Sequence, residues 1–135
     1  MDSCTVKVIL FDLGGVLVRI EGERRMLEWT RNTLSRTELW QAWLKSSAVQ
    51  RFETGQLSPE AFAEEMVATF KIAATPEEFL REFEQWAATL YPHAKKLLNC
   101  VRRRFRTACL SNTNPLHWEK VCEITNYCEL FDHLF

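Results

Sequence analysis

An almost unbroken β-branched and aliphatic run, VKVILF at residues 6–11, stops at Asp12 and is followed by Leu13, Gly14 and Gly15. Such a run predicts a strand covered on both faces, as in a parallel sheet with helices above and below, rather than a strand with one wet face. The two glycines mark a place where the backbone turns tightly or lets a ligand come close. Parallel strands need long crossover connections, and the rest of the chain supplies them.

Between residues 20 and 90 the periodicity is helical. Ser35 with Glu38 three positions later is a capping box, and Leu39, Trp40, Trp43 and Leu44 follow at helical spacing. Ser58 and Pro59 form an N-cap and first helical residue ahead of Phe62, Met66, Val67 and Phe70, while Thr75, Pro76 and Glu78 repeat both signals ahead of Phe79, Phe83 and Trp86. Three or four helices are predicted in this block. Tyr91 and Pro92 end it. A helix carrying Ala94, Leu97, Leu98 and Val101 then runs into Arg102, Arg103 and Arg104, and residues 107–110 (TACL) read as a second buried strand. Asn114 and Pro115 start a last helix with Leu116, Val121 and Ile124 inward, and the apolar residues 130–135 suit a further strand. Strands alternating with helices predict an α/β fold with a parallel sheet.

The size, 135 residues, fits a single core, and 47% hydrophobic with 26% charged residues is ordinary for a globular chain. Seventeen basic against eighteen acidic side chains give a net charge of −1, so no overall field draws the chain to nucleic acid or to an anionic membrane. The apolar stretch at residues 6–18 is interrupted by Lys7, Asp12 and glycines and is shorter than the ~20 residues that span a bilayer. Five cysteines, with no C-x-x-C pair, read as buried thiols of a reducing compartment, and the chain is expected to be cytoplasmic.

Both polar clusters fall at strand ends, where parallel sheets bind ligands. Asp12 follows the first strand, with glycine amides beyond it that could meet an anion; Ser111 and Asn112 follow the second, just before a helix. Each cluster alone is ordinary turn and capping chemistry. His93, His117 and His133 lack metal-ligand spacing and read as surface or packing residues, and the tryptophans and phenylalanines read as core. Cys109, inside the second strand, should be inert.

Taken together the segments carry more. VILFDLGGVLV resembles the first motif of the haloacid dehalogenase (HAD) superfamily, a strand followed by D-x-D-G-(T/V)-L, with Asp12 at the nucleophile position. ACLSNTNPLHWE resembles its second motif, a strand ending in Ser or Thr, and the helical block looks like the cap these enzymes insert after the first motif. FETGQLSPEAF and LYPHA are similar to the glucose-1-phosphate phosphatase-like branch. The resemblance implies a Rossmann-like core at residues 1–19 and 91–135 with a cap at 20–90. It also implies Mg²⁺-dependent phosphoryl transfer from a small phosphorylated metabolite through an aspartyl-phosphate on Asp12. By the same carry-over Ser111, Asn112 and Gly15 would hold phosphate, and the metal would sit on Asp12 and the Gly14 carbonyl. A carboxylate suits the role because it is ionised at neutral pH without a partner base.

Gly14 replaces the second Asp of D-x-D, the usual general acid and base, a loss worth about 10² to 10⁴ in rate. The third and fourth motifs, a Lys and an acidic metal ligand, would lie beyond a strand near residues 133–135. The chain is therefore expected to be a fragment or degenerate gene product with little turnover, its first strand lacking neighbours on one side and prone to self-association there. The alternatives are a catalytically dead binding module and a carbon–halogen hydrolase; the latter usually has an aromatic where Gly14 stands.

Overall fold

The computed structural model describes residues 6–135, apart from the side chains of residues 124, 125, 127 and 128. The inward placement expected of Ile124, and the thiols of Cys4 and Cys128, lie outside the described residues. Strand β1 (Val8–Phe11) pairs in parallel with β4 (Arg106–Cys109), and β4 pairs in parallel with β5 (His133–Leu134), giving the order β1-β4-β5. The expected α/β architecture is present: a Rossmann-like parallel sheet whose crossovers are helical.

The central strand is sealed, with Thr107, Ala108 and Cys109 all buried. β1 is not. Its Ile9 and Phe11 are half-buried, whereas Val8 and Leu10, on the other face, are 48% and 55% exposed. A strand covered on both faces was the sequence expectation, and it holds for β4 rather than β1. The reason is a bare face: among the described residues nothing packs over the Val8 and Leu10 face of β1, and as an edge strand β1 separately leaves one row of backbone groups unpaired. The C-terminal turn is fastened by Asp132, whose carboxylate accepts the Thr107 N–H at 2.7 Å while its own N–H donates to the Thr107 carbonyl at 2.8 Å. The Thr107 N–H bond holds the Asp132 carboxyl pKa below its ordinary value, with help from Arg106, Arg102 and the Thr107 hydroxyl.

The helical block contains five helices, not three or four: α1 (Gly22–Trp29), α2 (Arg36–Lys45), α3 (Ser47–Glu53), α4 (Pro59–Phe70) and α5 (Pro76–Phe83). The capping signals were sound. Ser35 with Glu38 and Thr75 with Glu78 form reciprocal boxes, and the Ser58 hydroxyl accepts the Ala61 N–H. The extra elements have weaker labels. α1 starts with no side-chain cap, and α3 begins when Ser46 leaves helical geometry for an extended conformation and accepts the Val49 N–H with its hydroxyl. On α2 only Leu39 is buried; Trp40 and Leu44, expected on an apolar face, are 60% and 57% exposed.

The helices close around packed rings, with Phe52 and Phe62 4.2 Å apart and nearly parallel and Phe83 5.2 Å from Phe62. This cluster of buried side chains runs from Met26 to Trp86; a second, from Leu13 to Phe131, lies against the sheet with α6 (Ala94–Val101) and α7 (Pro115–Thr125). Where the chain passes from one to the other, β2 (Val18–Arg19) and β3 (Thr89–Leu90) pair antiparallel, with Val18 opposite Leu90 and Arg19 opposite Thr89. No helix among the described residues is long and apolar enough to cross a membrane. The cysteines are not uniformly buried thiols: Cys109 is buried and free, Cys100 is exposed and free, and Cys122 is disulfide-bonded.

Candidate active site

The β1–β4 register carries both strand ends to one place. Phe11 lies opposite Cys109, and the Leu110 N–H donates to the Phe11 carbonyl at 2.9 Å, so Asp12 and Ser111 leave the sheet side by side. The Ser111 hydroxyl donates to Asp12 Oδ1 at 3.0 Å, and the Leu13 N–H donates to the same oxygen at 2.7 Å. Two donors fix one carboxylate oxygen, and Oδ2 has no hydrogen-bond partner among the described residues. An oriented carboxylate with one unengaged oxygen at an exposed strand end is the arrangement an Asp nucleophile requires.

The turn after Asp12 is held by its own backbone. The Leu13 carbonyl accepts from the N–H groups of Val16, Leu17 and Val18 at 3.1, 2.9 and 2.8 Å, and the Gly15 N–H donates to the Val18 carbonyl at 2.8 Å. Gly15 has φ +75°, which explains glycine there. Its amide is therefore not offered to an anion as the sequence suggested. The free donor is one residue earlier: the Gly14 N–H has no partner among the described residues. A Cβ on Gly14 would meet Ile20 at an ordinary 3.6 Å, so neither space nor φ demands glycine at that position.

Asn112 is turned to a different use. Its Nδ2 donates at 3.1 Å to Oε2 of Glu53, at the end of α3, so the loop after β4 is tied to the helical block. Above the strand ends lies a cavity of about 660 Å³, with Asp12, Gly14, Gly15, Ser111 and Asn112 on the sheet side and residues of α1 to α5 on the other. Arg36 and Glu23 both line it and pair at 2.7 Å. His117 also lines it, stacked on Phe83 at 4.3 Å between ring centres. Its Nε2 lies 2.7 Å from the Phe83 carbonyl and its Nδ1 3.1 Å from Asn114 Nδ2, which assigns the neutral ring with hydrogen on Nε2. Burial pushes its pKa below the ordinary value, partly opposed by the Phe83 bond. With both nitrogens engaged His117 ties α7 to the end of α5, in keeping with a packing role. Burial and the Asp12 charge push the Cys109 thiol up to about 11, so it stays protonated and inert.

Nothing local in the sequence marks Glu53, Glu23 or Arg36. One signal existed for α2: Arg36, Trp40 and Trp43 recur at i, i+4 and i+7, and all three face the cavity.

A family model described as haloacid dehalogenase-like hydrolase matches residues 6–135. The chain belongs to the haloacid dehalogenase-like hydrolases. A HAD family enzyme from Bacteroides thetaiotaomicron superposes with a TM-score of 0.71 at 21% identity, covering 96% of this chain and 68% of that one. The same enzyme in complex with magnesium and inorganic phosphate gives 0.70 at 21% identity, over 97% of this chain and 68% of that one. L-2-haloacid dehalogenase from Xanthobacter autotrophicus, with chloropropionic acid covalently bound, gives 0.57 at 20% identity over 97% of this chain and 56% of that one. At these identities the likeness establishes the fold.

The magnesium that membership implies can be tested against the donors of this HAD-like chain. Mg²⁺ prefers six hard oxygens, commonly one or two carboxylates with water and substrate phosphate. Asp12 brings one carboxylate with one oxygen already engaged, and no group of three His, Cys, Asp or Glu side chains gathers anywhere among the described residues. The described residues do not complete such a site.

Proposed function

We propose that this hydrolase cleaves small phosphorylated metabolites through an aspartyl-phosphate on Asp12. The observation that carries the reading is the Ser111 hydroxyl on Asp12 Oδ1 at the floor of the cavity, which leaves Oδ2 to attack. In the first step Oδ2 forms a bond to phosphorus, the bond from phosphorus to the ester oxygen breaks, and that oxygen takes a proton from water. In the second, water attacks the acyl phosphate and releases phosphate and the free Asp12 carboxylate. Ser111 steadies the nucleophile and, once Oδ2 is esterified, can turn its hydrogen to a phosphoryl oxygen; the Gly14 N–H is a second donor for that oxygen. Gly14 has no side chain with which to protonate the leaving group, so turnover is slow for esters of poorly acidic alcohols.

The Bacteroides neighbour's complex with magnesium and inorganic phosphate supports a phosphoryl substrate. We take residues 1–19 and 91–135 as the catalytic layer and 20–90 as the cap, a division supported by the two separate clusters of buried side chains and by the β2–β3 pair at their junction. The test is release of inorganic phosphate from phosphomonoesters with and without Mg²⁺, alongside halide release from 2-chloropropionate. Asp12→Asn should remove phosphate release at least a hundredfold. Equal rates in the two proteins would eliminate the mechanism, and Asp12-dependent halide release without phosphate release would transfer it to the dehalogenase chemistry of the Xanthobacter neighbour.

The partner in solution is a second copy of the chain, joined through the open edge of β1. Exposed Val8 and Leu10, unpaired backbone on that edge and a net charge of only −1 all favour it. Sedimentation should show concentration-dependent association that Leu10→Lys suppresses; a monomer at every concentration would refute it.

A further inference from the structure

The floor of the cavity is polar, but its helical side is a wall of rings. Trp40, Trp43, Phe52, Phe62, Phe83 and Trp86 all contribute. Most of them are also core: Phe52, Phe62, Phe83 and Trp86 are buried and stack on one another. Trp40 is different. It is 60% exposed, lines the cavity and lies one turn after Arg36 on the same stripe of α2. A large aromatic side chain left this open at the wall of a cavity costs solvation unless something flat covers it.

The polar inventory on the helical side is already committed. Glu23 and Arg36 neutralise each other, and Glu53 accepts from Asn112. Little is left to replace the water around the several hydroxyls of a polyol, and each hydroxyl buried without a partner weakens binding. Trp86 Nε1 has no hydrogen-bond partner among the described residues, but it is buried and presents no surface to the cavity. Trp86 is 6% exposed and lines the same cavity. A ligand that presents ring faces to the tryptophans covers this wall; a cavity of about 660 Å³ is roomy enough for one or two fused rings with a phosphoryl group.

We propose that the leaving group of the substrate is a flat, largely apolar ring system held against Trp40 and Trp43. The orientation, with the phosphoryl end toward Asp12, rests on the phosphatase reading; the ring site itself does not.

Titration calorimetry on the full chain tests it with 4-nitrophenyl phosphate, phenyl phosphate, glycerol 2-phosphate and 4-nitrophenol. 4-Nitrophenyl phosphate should bind at least about tenfold more tightly than glycerol 2-phosphate, and 4-nitrophenol should compete with it. Trp40→Ala, at an exposed position where folding is unaffected, should weaken both nitrophenyl ligands by about three- to tenfold, the scale of one lost aromatic contact, while glycerol 2-phosphate is unchanged. Phenyl phosphate, which lacks the nitro acceptor, should share that advantage over glycerol 2-phosphate. Equal binding of the aromatic and polyol phosphates, or indifference to Trp40→Ala, would overturn the proposal. Retained 4-nitrophenol binding without Asp12-dependent phosphate release would sink the phosphatase reading and leave the ring site standing.

Discussion

Replacing a helical glycine by alanine ordinarily stabilises a protein, and at Gly22 it should do the opposite. The gain is about 1 kcal/mol in a helix interior and less at a first helical position such as this one. The cost comes from Trp86. A Cβ on Gly22 would stand 2.1 Å from both Cδ2 and Cε3 of that indole and 2.6 Å from Cε2, whereas carbon atoms rest about 3.5 to 4.0 Å apart. The indole has nowhere to go: Phe83, Phe79 and Trp43 lie around it at centroid distances of 5.0, 6.0 and 5.8 Å. Nor can the backbones part freely, because the Glu21 N–H donates to the Trp86 carbonyl at 3.0 Å. Overpacking of this kind costs about 1 to 3 kcal/mol, at the upper end where rings are locked together, so Gly22→Ala should lose a net ~2 kcal/mol. Urea unfolding followed by tryptophan fluorescence measures it, with unchanged m-value and lower midpoint as the expected pattern. Trp86→Leu provides the control, since removing the obstacle should make the double variant lose less than the sum of the singles. A rise in midpoint for Gly22→Ala would refute the reasoning.

Two further outcomes follow from the site and the caps. His117 is held neutral in the fold by burial, while the unfolded chain binds the proton near an ordinary pKa of about 6.5. Over the interval between those two values the unfolded state holds more protons, so stability should fall as pH drops through about 6.5 and level off below the folded pKa; thermal melts of His117→Gln should show a flatter dependence, and parallel curves would refute the assignment. Thr75→Ala removes one half of a reciprocal cap on α5 and should cost about 1 kcal/mol in the same urea assay, with no change on substitution counting against the bond.

What the sequence made legible was whatever is written locally. Asp12 and Ser111 could be set at strand ends because apolar runs stop there, and their meeting follows once the two strands pair in parallel. The helix starts at Ser35, Ser58, Thr75 and Asn114 could be read because an oxygen at the N-cap satisfies an amide a turn later. Features that depend on what lies across the fold stayed hidden. Nothing local distinguishes Val8 and Leu10 from the buried residues of β4, since what exposes them is the lack of a covering element on that face of β1 among the described residues. Glu53 is one acid among many until α3 is placed over Asn112, and Gly15 looks like an open anion site until the Val18 carbonyl takes its amide.

The short ribbon of β2 and β3 has a consequence for how such a molecule can change. With Val18 and Leu90 abreast, the polypeptide departs from the sheet and rejoins it at one doorway, so everything between is topologically an excursion from a closed path. Helices can be added, dropped or exchanged in that excursion without rethreading a strand. The ring-lined ceiling can therefore be rewritten by mutation or by grafting while the Asp12 and Ser111 floor stays as it is.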